Sequence, residues 1–512
     1  MSSLTQPARG VWAHLWRTQL LELALNTVAL VAGVGLGTLV LGTALGWLVT
    51  SYEFPGRRLF EWALILPLAL PAYVIGFAML GLLEYPGPVQ TAMRQALGPG
   101  AALPNPRSYG GVVLVMTLVF YPYVYLLART AFREQGAATL ETARTLGRTR
   151  WQAFRHVSLP MARPSLVAGA SLAMMEALAD FGTVATFGYR TLTEAIYRVW
   201  YGMFDRVAAA QLATLLLGFA LSLLVLERAL RGRARFAQSQ RRGPGAERVL
   251  LAGGPAALAS VACALVLAAA FVAPVGRLLV WAADGGWRSM GGALGPVLVN
   301  TVVLAAAAAA VTCALALALG YAARLHPSTS VRTATRLAGL GYALPGSVIA
   351  VGVLIPLARL DHALAAAAEW LLGRPAALVL TGSAAALVFA YVVRFVAVSL
   401  QTLEASLLKI PPSLDDAARS LGAGTGRTLA RIHLPLMRGG VLTALVLVFV
   451  ETVKEMPATL LLRPFGFDTL AVAVWERTAE SQWLEASIPA LAIVAAGLLP
   501  VFLAIRLSSR SR

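Results

Sequence analysis

The stretch "GRTRWQAFRHVSLP", Gly147–Pro160, is basic and polar in a chain whose other segments are mostly apolar. A similar stretch, "DAARSLGAGTGRTLARIHLP", lies at Asp416–Pro435. In both copies an acid comes first, a Gly follows six residues later, and a Leu-Pro pair closes the pattern. The Gly favours a break between two short helices, and we expect the Leu-Pro to end the second of them. The pattern therefore predicts a rigid, solvent-exposed helical elbow that occurs twice: the first elbow at 141–160 and the second elbow at 416–435.

The composition is typical of a membrane protein. Of the 512 residues, 58% are hydrophobic and 13% are charged, whereas soluble domains average about 25% charged residues. Because the apolar runs are long and uniform, they predict membrane-spanning helices rather than barrel strands. The predicted fold class is all-α, a polytopic helical membrane protein with about eleven and at most twelve spans. The eleven candidate spans are 22–50, 60–83, 110–128, 164–187, 207–227, 249–282, 294–322, 337–358, 376–400, 438–460 and 486–508.

The net charge of +18 is explained by the placement of Arg near one side of a membrane. Seven Arg lie between Arg129 and Arg163, and seven more lie between Arg228 and Arg248. Such clusters mark cytoplasmic segments in multi-pass membrane proteins. We therefore expect both elbows and the C-terminus to face the cytoplasm, with the lipid bilayer and no nucleic acid as a partner.

The chain contains an internal repeat in which motifs recur in the same order at nearly one offset. The offset of 274 relates Asn26–Thr27 to Asn300–Thr301, and "LALPA" at Pro71 to "YALPG" at Pro345. Further anchors recur at 275 or 278: Glu141 with Asp416, Gly147 with Gly422, Glu176 and Asp180 with Glu451 and Glu455, and Phe187 with Phe465. A fixed order and spacing predict two parallel repeats. We divide the chain into a first repeat (1–230), a basic cytoplasmic linker (231–248) and a second repeat (249–512).

The two repeats differ at their starts. The second has an additional leading helix at 249–282, whereas the residues before Asn26 are too polar to span a bilayer. An odd number of spans with a cytoplasmic C-terminus places the N-terminus outside. Either a leading helix is missing from the first repeat, or residues 4–20 form an interfacial amphipathic helix with Trp12 and Trp16 at the headgroups.

The elbow pattern resembles the EAA loop of ABC importer permeases, in which E-A-A is followed by a Gly and a hydrophobic ending in Leu-Pro. The departures from that pattern are mild: Thr142 and Asp416 replace the usual Ala and Glu, and Leu429 replaces an aromatic residue. The resemblance implies that each loop fits a groove on an ATP-binding subunit, so that one chain with two loops serves two such subunits. The residues implied in ATPase coupling are Glu141, Ala143, Gly147, Leu159, Pro160, Asp416, Ala417, Ala418, Gly422, Leu434 and Pro435.

The fused form is similar to the ferric-iron importer permeases, most specifically in "KEMPATLLLRPFGFDTLA", Lys454–Ala471. Fused permeases for thiamine share the architecture, so thiamine or another small solute is the alternative substrate. The resemblance also implies a substrate-binding protein outside the membrane.

Nothing in the sequence supports catalysis by this chain. A P-loop needs Gly-x4-Gly-Lys-Ser/Thr, and neither Lys409 nor Lys454 lies in such a motif. We therefore expect ATP to be used by a separate subunit, and we expect no catalytic residue, bound cofactor or assigned metal site here. A membrane enzyme is disfavoured because no nucleophile or metal-protease motif is present. An ion-coupled secondary transporter is the remaining rival, which vesicle uptake driven by ATP or by an ion gradient would distinguish.

Four acids lie within the predicted spans. Glu176 and Asp180 are four residues apart, as are Glu451 and Glu455, so each pair is expected on one helix face. A charged acid costs about 2.5–3.5 kcal/mol at the bilayer centre, so the four should face the bundle interior. They form either an acidic translocation path for a trivalent cation or structural pairs, for example with Lys454.

Aromatic and His residues are the other candidates near the path. Tyr123 and Tyr391 are candidate oxygen ligands, with an interfacial aromatic belt as the alternative. His156 and His433 lie in the elbows, where we expect them at the surface, and the His residues have no metal-binding spacing.

Overall fold

The computed structural model describes residues 11–135, 147, 149–231, 248–287, 292, 294–326, 328–373 and 379–509. Among these residues, nine helices are long and apolar enough to cross a membrane, and a shorter apolar helix occupies Trp483–Leu499. The part of the chain described contains only two strands, β1 Tyr52–Glu53 and β2 Val249–Leu250, which pair in parallel. The predicted all-α, multi-pass membrane fold is confirmed.

The described residues of the first half are mostly helical. The helices are α1 Val11–Thr18, α2 Leu20–Ser51, α3 Arg57–Ala63, α4 Ala72–Leu83, α5 Pro88–Leu97, α6 Tyr109–Glu134, α7 Arg150–Ala153, α8 Leu159–Ala179, α9 Gly182–Thr186, α10 Leu192–Tyr197 and α11 Arg206–Arg231.

The second half repeats this order after an additional pair of helices. Its elements are α12 Gly253–Leu267, α13 Ala273–Trp281, α14 Leu294–Leu325, α15 Thr329–Ala338, α16 Gly346–Leu372, α17 Ala384–Leu407, α18 Pro412–Ser420, α19 Thr425–Thr428, α20 Leu434–Lys454, α21 Pro457–Leu462, α22 Leu470–Ala479 and α23 Trp483–Ser509.

Two predicted spans, 60–83 and 337–358, are not continuous helices. In both, the chain leaves the helix just before the Pro of the repeated "LP" pair. Leu70 has φ −102° and ψ 135°, and Leu344 has φ −89° and ψ 132°. A Pro disfavours the helical conformation of the residue before it, so the long helix begins only after Pro71 and Pro345.

Small residues bring three helices of the first half close together. A Cβ added at Gly42 of α2 would lie 2.7 Å from Val124 Cβ of α6, and one at Gly46 would lie 2.9 Å from Ala128 Cβ. From the other side, a Cβ at Gly169 of α8 would lie 2.7 Å from Val124 Cα. Small residues permit such close packing, which drives helix association in membranes.

The described residues form two compact units, one within 1–289, 477–494 and 507–512, the other within 290–476 and 495–506. The additional helices α12 and α13 therefore belong to the first unit, although they lie at the start of the second repeat in sequence. Within that unit the Trp281 ring stacks on Phe77, with centroids 5.9 Å apart, and lies 5.6 Å from the Trp483 ring. These two units are defined by packing contacts, whereas the repeats at 1–230 and 249–512 are defined by sequence motifs. The division into repeats therefore stays a prediction.

The N-terminal region contains the short helix α1 before α2, separated from it by Gln19. The Trp12 and Trp16 rings have centroids 6.5 Å apart, and Trp16 is 66% exposed. This arrangement supports the interfacial alternative for Val11–Thr18, while residues 4–10 of the expected helix lie outside the described residues.

Candidate functional site

The second elbow consists of two short helices separated by a turn at Gly422. Gly422 has φ +73°, and its N–H donates a 3.0 Å hydrogen bond to the Arg419 carbonyl. The next N–H, that of Ala423, donates to the Ala418 carbonyl over 2.9 Å. These bonds satisfy the last carbonyls of α18 and require a left-handed residue, a conformation that Gly adopts without strain.

The first elbow has the same backbone feature at the equivalent position. Gly147 has φ +80°, and α7 follows it. A Cβ at Gly147 or Gly422 would meet no atom within 4 Å, so the backbone angle, and not the available space, requires Gly at both positions. The coupling candidates Glu141 and Ala143 lie outside the described residues.

The Leu-Pro pairs begin the membrane helices and do not end the elbows, so that part of the sequence prediction is wrong. Leu159–Pro160 starts α8, and Leu434–Pro435 starts α20. Each pair follows a π-turn, Phe154–Ser158 or Leu429–His433, in which the Leu N–H donates to the carbonyl five residues earlier. Pro lacks an N–H, and the wider turn before it lets the helix continue through the Pro.

The exposed side of the second elbow is partly apolar. Leu421 is 88% exposed, Leu414 is 37% exposed, and Ala417 also faces solvent, whereas Ala418 is buried. Asp416 is exposed, and its carboxylate pairs within α18 with Arg419, 2.5 Å away. An exposed apolar ridge with charges beside it on a short helix suits insertion into a groove of another protein.

The two elbow His residues differ in exposure. His156 is exposed, as predicted, but His433 is fully buried, so its predicted surface position is wrong. His433 lies in the π-turn with its ring edge-on to Tyr321, at 5.4 Å between centroids. Its Nε2 lies 2.8 Å from Asp415 Oδ1, at ion-pair distance but without hydrogen-bond alignment.

Two residues that the sequence analysis did not select hold the second elbow in place. Arg324, in the last turn of α14, donates from Nε and Nη2 to Asp415 Oδ2, over 2.9 and 2.8 Å. It also donates to the carbonyls of Leu407 (2.7 Å) and Ile410 (2.9 Å) at the end of α17. The available signal was the doubled acid Asp415–Asp416, of which only the second matches the EAA pattern.

Aromatic packing holds the first elbow instead. The Trp47 ring of α2 lies 4.6 Å from Phe154 and 5.2 Å from Phe132, measured between centroids. Trp151 lies 5.4 Å from Phe154 on the other side. The equivalent elbows are thus attached to their membrane helices by different chemistry.

Asp180 and Glu455 are not on the helices that precede them, so the prediction that each acid pair shares one helix face is wrong. α8 ends at Ala179 and α20 ends at Lys454, and both acids have extended backbones. Each acid accepts a hydrogen bond from an N–H of the next short helix. Asp180 Oδ1 accepts from Thr183 N–H over 2.7 Å, and Glu455 Oε1 accepts from Ala458 N–H over 2.9 Å. Capping satisfies donors that would otherwise lack a partner within the protein, which favours a break over a continuous span.

The second unit has ion pairs around this break. Glu455 Oε1 lies 3.3 Å from the Nη1 of Arg394, a residue in the middle of α17. Lys454 Nζ lies 3.0 Å from Glu451 Oε1. The structure therefore pairs Lys454 with the first acid of its repeat, and gives the second acid an Arg partner that the sequence analysis missed.

The candidate tyrosines have different surroundings. Tyr391 is buried, and its hydroxyl lies 2.5 Å from Thr459 Oγ1 on α21. Tyr123 is half-buried, with its ring 6.3 Å from that of Phe120, and Glu176 is also half-buried on α8. Within the residues described, no group of three or more His, Cys, Asp or Glu is placed to hold a metal ion.

Comparison with known proteins matches the chain twice to one family. The family described as "Binding-protein-dependent transport system inner membrane component" matches residues 39–235 and again 314–512. The Fe(3+)-transport system permease protein FbpB 2 of Haemophilus influenzae is 27% identical over 496 residues, which cover 96% of this chain and 90% of the relative.

Shorter relatives match about two fifths of the chain. The sulfate transport system permease protein CysT of Escherichia coli is 31% identical over 230 residues, covering 43% of this chain and 80% of CysT. The molybdenum transport system permease protein ModB of Escherichia coli is 29% identical over 219 residues, covering 41% of this chain and 92% of ModB.

Proposed function

Because the chain belongs to the family of binding-protein-dependent transport system inner membrane components, and matches it twice, we propose that it forms the entire transmembrane part of an ATP-driven importer. The family description names an inner membrane component, and the three relatives above are named as permease proteins of bacteria, so we place this chain in the cytoplasmic (inner) membrane of a bacterium as a permease subunit and not as an enzyme. The observation that carries the proposal is the occurrence, in one chain, of two family regions, each with an elbow built around a left-handed Gly.

Each elbow docks one ATP-binding subunit, so that two such subunits bind this chain on the cytoplasmic face. The exposed ridge of Leu414, Ala417 and Leu421 supports this role for the second elbow. ATP is bound and hydrolysed on those partners, and this chain needs no cofactor. When ATP closes the pair of subunits, the elbows move together and the membrane helices change between inward-open and outward-open arrangements.

Ferric iron, delivered by an extracytoplasmic binding protein, is the substrate that we propose. Support comes from the Haemophilus influenzae Fe(3+) permease, which matches this chain over nearly its full length, including both repeats. Within the proposed path we retain Glu176, Glu451 and Tyr123. We assign Asp180, Glu455 and Tyr391 first to the packing of the broken helices, because each bonds to the short helix that follows the break.

An oxyanion is the second candidate substrate. Arg394 supports an oxyanion substrate. Its guanidinium is buried in the middle of a membrane helix, where a charge is unfavourable in free energy and is typical of a functional position. The relatives named for sulfate and molybdenum transport also support it. The pairing of Arg394 with Glu455 reduces the positive charge available to an anion, so ferric iron remains the first proposal.

Uptake into proteoliposomes tests both parts of the proposal. The chain is reconstituted with its ATP-binding subunit and binding protein, and accumulation of ferric iron, thiamine, sulfate and molybdate is measured. We expect iron uptake that needs ATP and both partners. Uptake driven by a proton or sodium gradient without ATP would refute the importer assignment. ATP-driven uptake of another solute alone would refute only the choice of substrate.

A further inference from the structure

A buried ionic cluster connects the second elbow to two membrane helices. We call it the second-elbow latch and define it as Arg324, Asp415 and His433. The side chains of Arg324 and Asp415 are each 16% exposed, and that of His433 is fully buried. Ion pairs that are largely shielded from water are screened little by salt. In this cluster Arg324 makes two hydrogen bonds to Asp415 Oδ2, whereas His433 Nε2 lies near Asp415 Oδ1 without hydrogen-bond alignment.

Arg324 is the centre of the latch because it contacts three elements at once. It belongs to the last turn of α14, donates twice to Asp415 in the first turn of α18, and donates to the carbonyls of Leu407 and Ile410 at the end of α17. Leu407 is the last residue of α17 and Ile410 lies in the turn that follows it. The C-terminal end of a helix carries partial negative charge, so a guanidinium is well suited to that position. A displacement of α18 would therefore be transmitted to both α14 and α17.

A second contact connects the same elements beside the latch. Tyr321, one helical turn before Arg324, donates from its hydroxyl to the Thr425 carbonyl at the start of α19, over 3.0 Å. Its ring also packs against His433. Both short helices of the second elbow are thus attached to the end of α14.

The acid of the EAA pattern cannot provide this connection. The side chain of Asp416 is 68% exposed and pairs with Arg419 three residues later on the same helix. A pair within one short helix adds little stability when exposed and attaches the helix to nothing else. Asp415, one residue earlier, is only 16% exposed and pairs with Arg324 of α14.

The sequence of the first repeat has different residue types at the positions equivalent to the latch. At the repeat offsets of 274 and 275, Tyr321 corresponds to Trp47, Arg324 to Thr50, Asp415 to Leu140 and His433 to Ser158. Thr50 donates within its own helix, to the Gly46 carbonyl over 2.7 Å. The aromatic contacts of Trp47 replace the ionic ones, and such contacts fix direction less strictly than a forked guanidinium does.

We infer that Asp415 is a positioning residue for coupling: through Arg324 and His433 it makes the second elbow move as one body with α14 and α17. The inference rests on the proposed role of the elbows in docking ATP-binding subunits. It predicts that losing the Asp415 charge leaves the docking surface in place but weakens the transmission of its movement.

The first measurement needs no ATP-binding subunit. A nitroxide label is placed at Leu421→Cys in the full chain in nanodiscs, the two native thiols, Cys263 and Cys313, being free but buried. We expect Asp415→Asn to increase the mobility of the label and Asp415→Glu to restore part of its order. Glu53→Gln is the matched control, because it removes a 2.8 Å ion pair, with Arg57, outside both elbows. Unchanged mobility in Asp415→Asn would overturn the inference.

The second measurement uses the reconstituted importer with unlabelled variants. We expect Asp415→Asn to bind the ATP-binding subunit normally but to move about 5-fold less substrate per ATP hydrolysed, the lower end of typical coupling between sites. Increased label mobility with unchanged substrate per ATP would also overturn the inference. If Asp415→Asn does not insert into the membrane, Arg324→Lys is used instead. It keeps the positive charge but loses the paired N–H donors of the guanidinium. It should likewise increase the mobility of the label and lower the substrate moved per ATP. If the wild type shows no ATP-driven uptake, the proposed function fails. The mobility of the nitroxide label then still tests whether Asp415 holds the second elbow against α14 and α17.

Discussion

Thr27 Oγ1 accepts a hydrogen bond from the backbone N–H of Leu192, 3.0 Å away and 165 positions later in the chain. The second repeat has the same bond, in which Thr301 Oγ1 accepts from Leu470 N–H over 2.8 Å. Each Thr lies near the start of a long helix and is buried. The bond attaches that helix to the turn that follows the broken membrane helix of its own repeat.

The neighbouring Asn completes the attachment. Asn26 Nδ2 donates to the Arg190 carbonyl over 3.1 Å, and Asn300 Nδ2 donates to the Asp468 carbonyl over 3.2 Å. The Asn-Thr pair, which the sequence shows only as a marker of the repeat, therefore satisfies one carbonyl and one N–H of the "FGYRTL" or "FGFDTL" turn. Leu192 and Leu470 are buried, and a buried backbone N–H needs such a partner.

Thr27→Val tests this attachment. We expect it to lower the free energy of unfolding by about 1–3 kcal/mol, because the Leu192 N–H would lose its partner while remaining buried. Thr38→Val is the control: Thr38 lies on the same helix and is also buried, but its hydroxyl bonds only to carbonyls of its own helix. Chemical unfolding in detergent would contradict the attachment if both variants lost equal stability.

Gly422→Leu should uncouple transport from ATP hydrolysis, because Leu disfavours the left-handed backbone conformation of the turn. A side chain at φ +73° is strained by about 1–2 kcal/mol, although there is open space for it. Gly424→Leu is the control, because Gly424 has φ −70° and equally open surroundings. We expect lower substrate uptake per ATP in Gly422→Leu only. Gly147→Leu should act in the same direction on the first elbow, with a different magnitude because that elbow is attached differently.

Equal uptake per ATP in the Gly422→Leu and Gly424→Leu variants would show that the turn is not needed for coupling. Gly422→Asn provides a graded test, since Asn tolerates the left-handed conformation better than Leu. Its uptake per ATP should lie between those of the wild type and Gly422→Leu.

The features predicted well from sequence are those that depend on local pattern. Apolar runs predict the membrane helices, and the fixed offset predicts the repeat. The Gly of the EAA pattern predicts a turn that the structure has at Gly147 and Gly422. In each case the residue type itself restricts the backbone conformation, or decides whether the segment lies in lipid or in water. The prediction therefore needs no knowledge of the neighbouring helices.

The features that were missed depend on partners far away in the chain. His433 was expected at the surface because its neighbours in sequence are polar, but the end of α14 covers it. Asp180 was placed on a helix because of its spacing from Glu176, whereas its carboxylate caps the next helix. A four-residue spacing predicts a shared face only if the helix continues, and the sequence does not show where capping ends it.

Gly42→Ala should destabilise the contact between α2 and α6. The added Cβ would lie 2.7 Å from Val124 Cβ and 2.8 Å from the backbone nitrogen of Tyr125, which cannot move independently. Overpacking of this kind typically costs about 1–3 kcal/mol. Gly218→Ala on α11 is the control, because no atom lies within 4 Å of its Cβ position, and the higher helix propensity of Ala should make it neutral or stabilising. Thermal unfolding in detergent measures both, and an equally stable Gly42→Ala would contradict the close packing.

Glu455→Gln separates a structural role from a role in the translocation path. The change keeps an oxygen that can accept from Ala458 N–H but removes the carboxylate charge 3.3 Å from the buried Arg394. Removing one partner of a buried ion pair typically costs about 3–5 kcal/mol, so we expect a lower melting temperature and lower yield. The double variant Glu455→Gln with Arg394→Met should recover most of the stability, because it leaves no unpaired charge.

The uptake of the same variants decides between the two roles. We expect ATP-driven uptake to fall with stability in Glu455→Gln and to return with it in the double variant, as a structural pair requires. Glu176→Gln is the counterpart on the proposed path. It should lower iron uptake more than it lowers stability, because Gln keeps the size and much of the hydrogen bonding of Glu but removes a charge that attracts a trivalent cation strongly in a low-dielectric passage. Uptake that stays low in a stable double variant would place the Glu455–Arg394 pair in the path. Normal uptake in Glu176→Gln would remove that residue from it.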